Sequence, residues 1–593
     1  MSNKALKETV ISVAGGTCGL ASGAGKVREA FAAELGQREL NIPCILTGCK
    51  GFCAVEPIVT IGDIFYCRVK PEDAGRIIDE TVIKGNLVED LLFESEGNRF
   101  STVDTIPFYK DQKRWLLELT GKIDPTSIDD YIREGGYESL KKALAMEPEQ
   151  IIEAIKKSGL RGRGGGGFPT GRKWESCRNS TYSETRYIIC NADEGDPGCF
   201  QDRSILEGNP HLVIEGMVIG GYAVGTGEGY IYVRAEYPLA VKHLEIALQQ
   251  AREKGFLGKN ILDSGFDFDI TIVRGAGAFV CGESSALFAS VEGRLGEPRV
   301  KHIHGTDKGL WDKPTTLNNV KTWASVPLII KKGADWFASV GTETSKGTMI
   351  FSLVGKVKNT GLVEVPMGIT LRELIFNIGG GILGDKRFKA VQTGGPSGGC
   401  LPESCLDLPV DYEALTDAGS MMGSGGMVVM DEDTCMVQVA RYFLAFTQEE
   451  SCGKCSPCSE GTYLMLKILD KFIAGKADEE DLKNLEEISR MVKETALCGL
   501  GKSAPNPVLT TLRYFRDEYL AHIEGKCPAG VCPALIRYEI DPEKCTGCNL
   551  CFQNCPQDAI EGEKKQPHKI IQDKCIKCGI CLEVCKFDAV LKQ

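Results

Sequence analysis

Residues 159–173 read GLRGRGGGGFPTGRK, and the reading of the chain's centre turns on them. Glycines this dense remove side chains where backbone amides approach a flat or phosphorylated ligand, and Arg163 and Lys173 add charge for a phosphate. The stretch is not a Walker loop, which ends in GK followed by Ser or Thr, nor a GxGxxG fingerprint that follows a strand. It comes after Ile151, Ile152 and Ile155, which are spaced as on one face of a helix. Downstream, YIICNADEGDPG at 187–198 reads as a strand running into Asn191, Asp193 and Glu194. A second glycine turn, RGAGAFVCGESSAL at 274–287, carries Gly277, Glu283 and Ser284, follows the strand-like DITIV and opens a helical segment. Together the three stretches point to a nucleotide or flavin pocket.

The chain has 593 residues, too many for one core, so several domains of roughly 50–250 residues are expected. The formal net charge of -12 argues against nucleic acid as a partner, since phosphate binding needs clustered Lys and Arg. No apolar run reaches the ~18 residues of a membrane span, and the first residues lack the pattern of a signal peptide. The expectation is a soluble, cytoplasmic protein with no membrane contact.

Twenty-six cysteines in a reducing compartment indicate metal or redox use rather than disulfides. Cys177, Cys190, Cys400 and Cys405 stand apart and read as small buried hydrophobes. CTGCNLCFQNCP and CIKCGICLEVC near the C-terminus repeat the spacing C-x2-C-x2-C-x3-C of two-cluster ferredoxins, in which the fourth cysteine of each run serves the other cluster. Cys545, Cys548, Cys551 and Cys585 would hold one [4Fe–4S] cubane; Cys575, Cys578, Cys581 and Cys555 would hold the other. Zinc knuckles would want two Cys pairs across a longer loop. In SCGKCSPC, Cys452, Cys455 and Cys458 form a third triplet. A helical stretch through Leu482, Leu485, Ile488 and Val492 leads to Cys498, completing a third cubane. His522, Cys527 and Cys532 in AHIEGKCPAGVC offer three N/S ligands for zinc with no fourth in view; the alternative is a linker with two incidental cysteines.

The motifs GLRGRGGGGFPTG, NADEGDPG, GAGAFVCGE, KPTTLNNV, ESCGKCSPCSEG and LCGLG, in this order, resemble the NADH-oxidising flavoprotein subunit of respiratory complex I. With its terminal domains, the chain resembles the flavoprotein (beta) subunit of electron-bifurcating hydrogenases and related formate dehydrogenase or transhydrogenase complexes. The resemblance implies a multidomain α/β and α+β fold. Residues 1–95 would form a thioredoxin-like [2Fe–2S] domain, degenerate in part; 96–140 a linker; 141–345 a Rossmann-like FMN and NAD(P)H domain. Residues 346–430 would form a ubiquitin-like SLBB domain, 431–525 a helical bundle with a [4Fe–4S] cluster, and 526–593 a two-[4Fe–4S] ferredoxin domain. It further implies FMN held by Gly162, Arg163, Gly164 and Lys173, by Asn191, Asp193 and Glu194, and by Asn318 and Asn319. The nicotinamide nucleotide would stack on the flavin, with Glu283 near its ribose.

Two departures stand out. The family usually has two glutamates where this chain has Glu283 then Ser284, and Lys-Pro-Pro-Phe-Pro where it has KHIHG. Loss of one carboxylate removes repulsion against a 2′-phosphate of about two negative charges. Lys301, His302, His304 and Lys308 add cations and imidazoles to attract it. NADP(H) is therefore predicted over NAD(H). In the N-terminal domain the family's [2Fe–2S] site takes an early Cys pair and a later C-x3-C. Here Cys18, Cys49 and Cys53 are present, Ala14 stands where a ligand is expected, and Cys44 or Cys67 is left to complete the set.

The implied chemistry is hydride transfer between nicotinamide and FMN, followed by single-electron transfer through the clusters, with no catalytic acid or base from the protein. The implied partners are a catalytic subunit for hydrogen or formate, a small thioredoxin-like [2Fe–2S] subunit and ferredoxin, in a hetero-oligomer. The rival readings are a non-bifurcating NAD(H) diaphorase subunit of a soluble hydrogenase and a non-catalytic electron relay.

Overall fold

The computed structural model describes residues 9–300 and 303–592. They form two compact units, residues 1–429 and 430–593.

The first unit begins with β1 (Ile11–Ala14), β2 (Cys44–Thr47), β3 (Val59–Ile61) and β4 (Ile64–Tyr66), arranged in the order β2-β1-β3-β4. β1 and β2 are parallel, and β3 runs antiparallel to both β1 and β4. The crossover between the parallel pair carries α1 (Thr17–Ala21) and α2 (Ala24–Gln37). Val27, Phe31 and Leu35 of α2 are buried against Ile11, Val13 and Val59. This βαβ unit followed by a β-hairpin is the topology that a thioredoxin-like reading requires.

The central domain holds a wholly parallel sheet of β5 (Tyr187–Ala192), β6 (Glu228–Arg234), β7 (Asp269–Gly275) and β8 (Thr315–Asn319), in the order β8-β5-β6-β7. Parallel strands need helical crossovers, and covered sheets call for apolar strands; YIIC in β5 supplies one. The sheet leads into α3 (Gln201–Gly208), α4 (Pro210–Val224), α5 (Ser284–Val291) and α6 (Val320–Lys332). α4, PHLVIEGMVIGGYAV, is apolar on every side and all but Tyr222 is buried. Such a helix needs a partner at close range. Gly216 provides it: a Cβ there would lie 2.1 Å from the carbonyl oxygen of Trp323 in α6. A third, mixed sheet follows, of β9 (Thr348–Gly355), β10 (Gly361–Pro366), β11 (Phe388–Thr393), β12 (Cys400–Pro402) and β13 (Gly426–Asp431), in the order β10-β9-β13-β11-β12. Buried Glu364 on β10 accepts the amides of Leu116 and Leu117 at 2.9–3.0 Å, tying residues 112–117 to this sheet.

In the second unit, α7 (Met436–Glu449), α8 (Ser456–Ile473), α9 (Glu479–Thr495), α10 (Asn506–Tyr514) and α11 (Arg516–Ile523) pack around Leu444, Met465, Leu469, Phe472 and Leu485. Two short two-stranded ladders follow, Tyr538–Ile540 with Val590–Lys592 and Ile560–Glu561 with Lys569–Ile570, and between them lie the two cysteine runs. No helix among the described residues is long and apolar enough to cross a membrane.

Gly216→Ala is expected to force α4 from α6 and to destabilise the central domain by about 1–3 kcal/mol, the usual cost of overpacking. Gly36→Ala, where a Cβ meets nothing within 4 Å, is the control. Thermal unfolding followed by intrinsic fluorescence should show a lower midpoint for the first and no such drop for the second.

Candidate flavin, nucleotide and metal sites

The glycine loop lies against the end of β8. A Cβ on Gly164 would sit 2.9 Å from the Cβ of Asn319, so only glycine allows this approach. The Arg163 amide donates to Thr322 Oγ1 at 2.9 Å, and its guanidinium Nη2 donates to the Lys346 carbonyl. Tyr412 Oη donates to the Gly162 carbonyl at 2.8 Å. Lys173 Nζ donates to the Leu317 carbonyl at 2.8 Å, and burial lowers its ammonium to about 8. Asn318 lies buried between the Trp174 indole and the Leu317 carbonyl.

The strand β5 ends in Asn191, whose amide donates to the Gly282 carbonyl at 2.9 Å and whose oxygen accepts the Asp193 amide at 3.0 Å. Glu194 caps α3: its carboxylate accepts the amides of Gln201 at 2.7 Å and of Asp202 and Arg203 at 3.1 Å. Burial, with Asp202 nearby, raises Glu194 to about 7. Asp202 is paired at 2.7 Å with the fully buried Lys321 and accepts from Asn319. Asp196, raised by burial to about 6, accepts from Ser424. Sequence reading did not find Gln201, Asp202, Lys321, Tyr412 or Ser424.

Among the described residues, Arg163 Nε and Nη1 and both side-chain polar atoms of Gln201 are buried with no partner. Unpaired buried groups of this kind cost about 1–3 kcal/mol each unless a ligand meets them. A loop dense in glycine, a guanidinium with two unpaired nitrogens and an unpaired side-chain amide fit a flavin phosphate and ring.

Beside the loop opens a cavity of about 230 Å³, lined by Phe168, Lys173, Ser176, Ser284, His304 and Thr306 among others. Among the described residues that line it there is no carboxylate. Phe168, 54% exposed, offers a ring face at the rim. Glu283 caps α5: its carboxylate accepts the amides of Ser285 at 2.8 Å and Ala286 at 3.1 Å. Gly277 adopts φ +87 and packs against Glu236. Lys301 and His302 lie outside the described residues. Lys308 reaches over the ring of Tyr182 at 5.4 Å.

In the second unit, Cys545, Cys548, Cys551 and Cys585 line one cavity, and Cys555, Cys575, Cys578 and Cys581 line another. Both are otherwise mainly apolar, and Cys548 and Cys578 are exposed. Cys452, Cys455 and Cys498 surround Cys458, whose thiol burial raises to about 11. Cys455 is the N-cap of the 18-residue α8, where the helix dipole favours an anionic centre.

The fourth ligand missing beside His522, Cys527 and Cys532 is Cys435, immediately before α7. His522 Nε2 lies 3.5 Å from Cys435 Sγ and 3.3 Å from Cys532 Sγ, and those two sulfurs are 3.7 Å apart. All four ligand atoms lie within 4.8 Å of one another. A tetrahedral zinc with arms of about 2.0–2.3 Å has edges of about 3.3–3.8 Å, so the set fits. His522 Nδ1 is engaged with the Glu518 carbonyl at 2.6 Å, which leaves Nε2 for the metal.

The predicted [2Fe–2S] group offers Cys18, Cys49 and Cys53: Cys53 Sγ donates to the Gly51 carbonyl at 3.9 Å, and Cys49 Sγ accepts the Gly51 amide at 3.2 Å. Cys44 and Cys67, the residues left to complete the set, make other contacts. Cys44 Sγ faces the Arg28 carbonyl at 3.9 Å, and Cys67 is buried beside Arg68 and Glu56. Their strands, β2 and the end of β4, direct them into the domain's own packing.

Four stretches of the chain match known protein families. Residues 155–328 match the Nuo51 FMN-binding domain, 350–401 the SLBB domain, 438–522 the NADH-ubiquinone oxidoreductase-F iron-sulfur binding region, and 538–592 the 4Fe-4S dicluster domain. The NADP-reducing hydrogenase subunit HndC of Solidesulfovibrio fructosivorans is 56% identical over 460 residues, 77% of this chain and 94% of the relative. A subunit of the NADH-quinone oxidoreductase of Aquifex aeolicus is 45% identical over 404 residues, 68% of this chain and 93% of the relative. Among solved structures, an NAD+-reducing [NiFe]-hydrogenase in the H2-reduced state aligns with a TM-score of 0.62 and 29% identity, over 87% of this chain and 84% of that one.

Cys435→Ala removes one of the four ligands of the second unit's tetrahedral set. Elemental analysis of the purified protein is expected to show about one zinc per chain in the wild type and a small fraction of that in the variant, with a lower melting temperature.

Proposed function

Since the chain belongs to the family of FMN-binding flavoprotein subunits of NADH-quinone oxidoreductase and related hydrogenases, we propose that it exchanges hydride between NADP(H) and FMN. Electrons then pass singly through three [4Fe–4S] clusters. In this reading it is the flavoprotein subunit of a hetero-oligomeric, electron-bifurcating complex. Its partners are a hydrogenase or formate dehydrogenase subunit, a small thioredoxin-like [2Fe–2S] subunit and ferredoxin.

FMN bound at the glycine loop supplies the conversion between a hydride pair and single electrons. The chain's own residues bind and orient. Arg163 and Gln201 supply the unpaired polar atoms toward a bound flavin. Glu194, Asp202 and Lys321 hold the floor of the site through the first turn of α3. Phe168 offers a stacking face to a nucleotide base. The Cys435, His522, Cys527 and Cys532 set holds a structural zinc.

The observation that carries the choice of NADP(H) is the cavity wall. Ser284, Lys173 and His304 line it, and no carboxylate among the described residues does. A nucleotide 2′-phosphate there would meet an ammonium, an imidazole and a hydroxyl, which all favour an anion. The NADP-reducing relative supports the same choice. Rapid-mixing measurements of flavin reduction are expected to give kcat/KM at least about tenfold higher with NADPH than with NADH. Ser284→Glu, which restores a negative charge at the wall, is expected to lower the NADPH value about tenfold to a hundredfold, the effect of roughly 1.4–2.7 kcal/mol of repulsion. Wild-type preference for NADH would sink the assignment.

The ferredoxin-like end supports bifurcation, because a single linear route from nucleotide to one partner needs no further pair of cubanes. With the native complex purified, NADP+ reduction is expected only when ferredoxin is supplied together with the partner's substrate. Equal rates without ferredoxin would favour the diaphorase reading.

A further inference from the structure

The cysteine triplet of the second unit is preceded by a serine that folds back onto it. Ser451 Oγ lies 3.3 Å from Cys458 Sγ, and the Gly453 amide donates to the same oxygen at 3.4 Å. Gly453 adopts φ +75, a conformation that favours glycine, at the turn between Cys452 and Cys455. Cys458 is 5% exposed and belongs to the first turn of α8. The segment that follows Cys498 closes over it: a Cβ on Gly501 would stand 3.3 Å from Cys458 Sγ. Ser451, itself half-buried, therefore reaches the sulfur where little water competes for it.

We propose that Ser451 sets the potential of the [4Fe–4S] cluster at Cys452, Cys455, Cys458 and Cys498, an inference that rests on the reading of those four cysteines as its ligands. A cysteine that ligates iron has lost its proton, so its sulfur only accepts and the hydroxyl is the donor. Gly453 engages a lone pair of the Ser451 oxygen, which leaves the hydroxyl proton to the sulfur. One electron delivered from reduced FMN adds one negative charge, shared between iron and sulfur. No proton moves, and the Ser451 O–H bond stays intact. A donor at the sulfur stabilises the added charge, more strongly where burial lowers the local dielectric, and hydrogen bonds to sulfur are among the factors that fix cluster potentials. The reduced state gains more than the oxidised one. Ser451 thus makes this cluster a stronger acceptor of single electrons than its thiolates alone would be.

The ferredoxin-like end is built differently. There backbone amides donate to sulfur, Ala559 to Cys555 at 3.2 Å and His568 to Cys545 at 3.5 Å. A backbone donor survives a side-chain substitution, whereas the Ser451 hydroxyl is removed by a single change. One cluster potential is thereby separable from the others by mutation.

The test uses the full-length protein, reduced stepwise with dithionite and followed by electron paramagnetic resonance. The wild type is expected to hold the iron of three cubanes, about 12 atoms per chain, and to show three one-electron [4Fe–4S] steps. Ser451→Ala is expected to keep that iron and to lower one midpoint while the other two stay in place. The expected shift is about tenfold in the one-electron equilibrium, or about 59 mV. Ser451→Thr, which keeps the hydroxyl, is expected to restore the wild-type value. Unmoved midpoints in Ser451→Ala at full iron content would overturn the proposal, and so would loss of about four irons from that variant, the mark of a merely structural serine. A wild type with about eight irons and no third step would overturn the ligand reading, and the proposal with it.

Discussion

A lysine ammonium with no solvent exposure persists only through what surrounds it, and Lys321 is such a group. Removing an ammonium and a carboxylate from water costs several kcal/mol per ion, and the pair offsets this only with good geometry and further hydrogen bonds. Lys321 has both. Asp202 lies at 2.7 Å, and Asn319 donates to the same carboxylate. Glu194 sits within reach and caps the helix that carries Asp202. Two regions distant in sequence are thereby fixed to one another: the end of β5 with the first turn of α3, and the junction of β8 with α6. The glycine loop is hung on the same junction through Arg163 and Thr322. An apolar contact would tolerate sliding by an ångström. A buried ion pair does not, which suits a pocket that must hold a flavin at fixed distance from a nucleotide.

What was legible in the sequence was whatever one turn of backbone decides. A C-x2-C-x2-C run brings its sulfurs together by local geometry, and glycines where a Cβ would strike Asn319 announce a close approach. What was hidden was contact made by folding. Cys435 lies 87 residues before His522, and nothing in its neighbourhood repeats the ligand spacing. Tyr412 and Ser424 reach the flavin site from the connection between β12 and β13, across more than 200 residues. Glu283 has a role its motif did not announce: a carboxylate immediately before a helix is a strong N-cap, and it accepts two amides of α5.

The nucleotide cavity shows how an absence can be informative. Ser284 matters less for what its hydroxyl does than for the charge it fails to bring. In a cavity of about 230 Å³ a carboxylate would stand within a few ångströms of any phosphate. At that range, with part of the water excluded, repulsion is worth far more than across an open surface. Ser284, Lys173 and His304 line that wall, and no carboxylate among the described residues joins them.

The cysteines divide by their surroundings rather than by their spacing. Sulfurs lining small cavities walled mainly by Ile, Ala and Val, as around Cys551 and Cys581, have few protein donors to stabilise an anion. They are left for iron to hold. Sulfurs that converge on an imidazole whose other nitrogen is engaged by Glu518 form, with its Nε2, a set that fits a tetrahedral ion. Cys18 meets neither condition: its described neighbour is the Arg203 guanidinium, which donates to the sulfur at 3.3 Å and has no lone pair to give a metal.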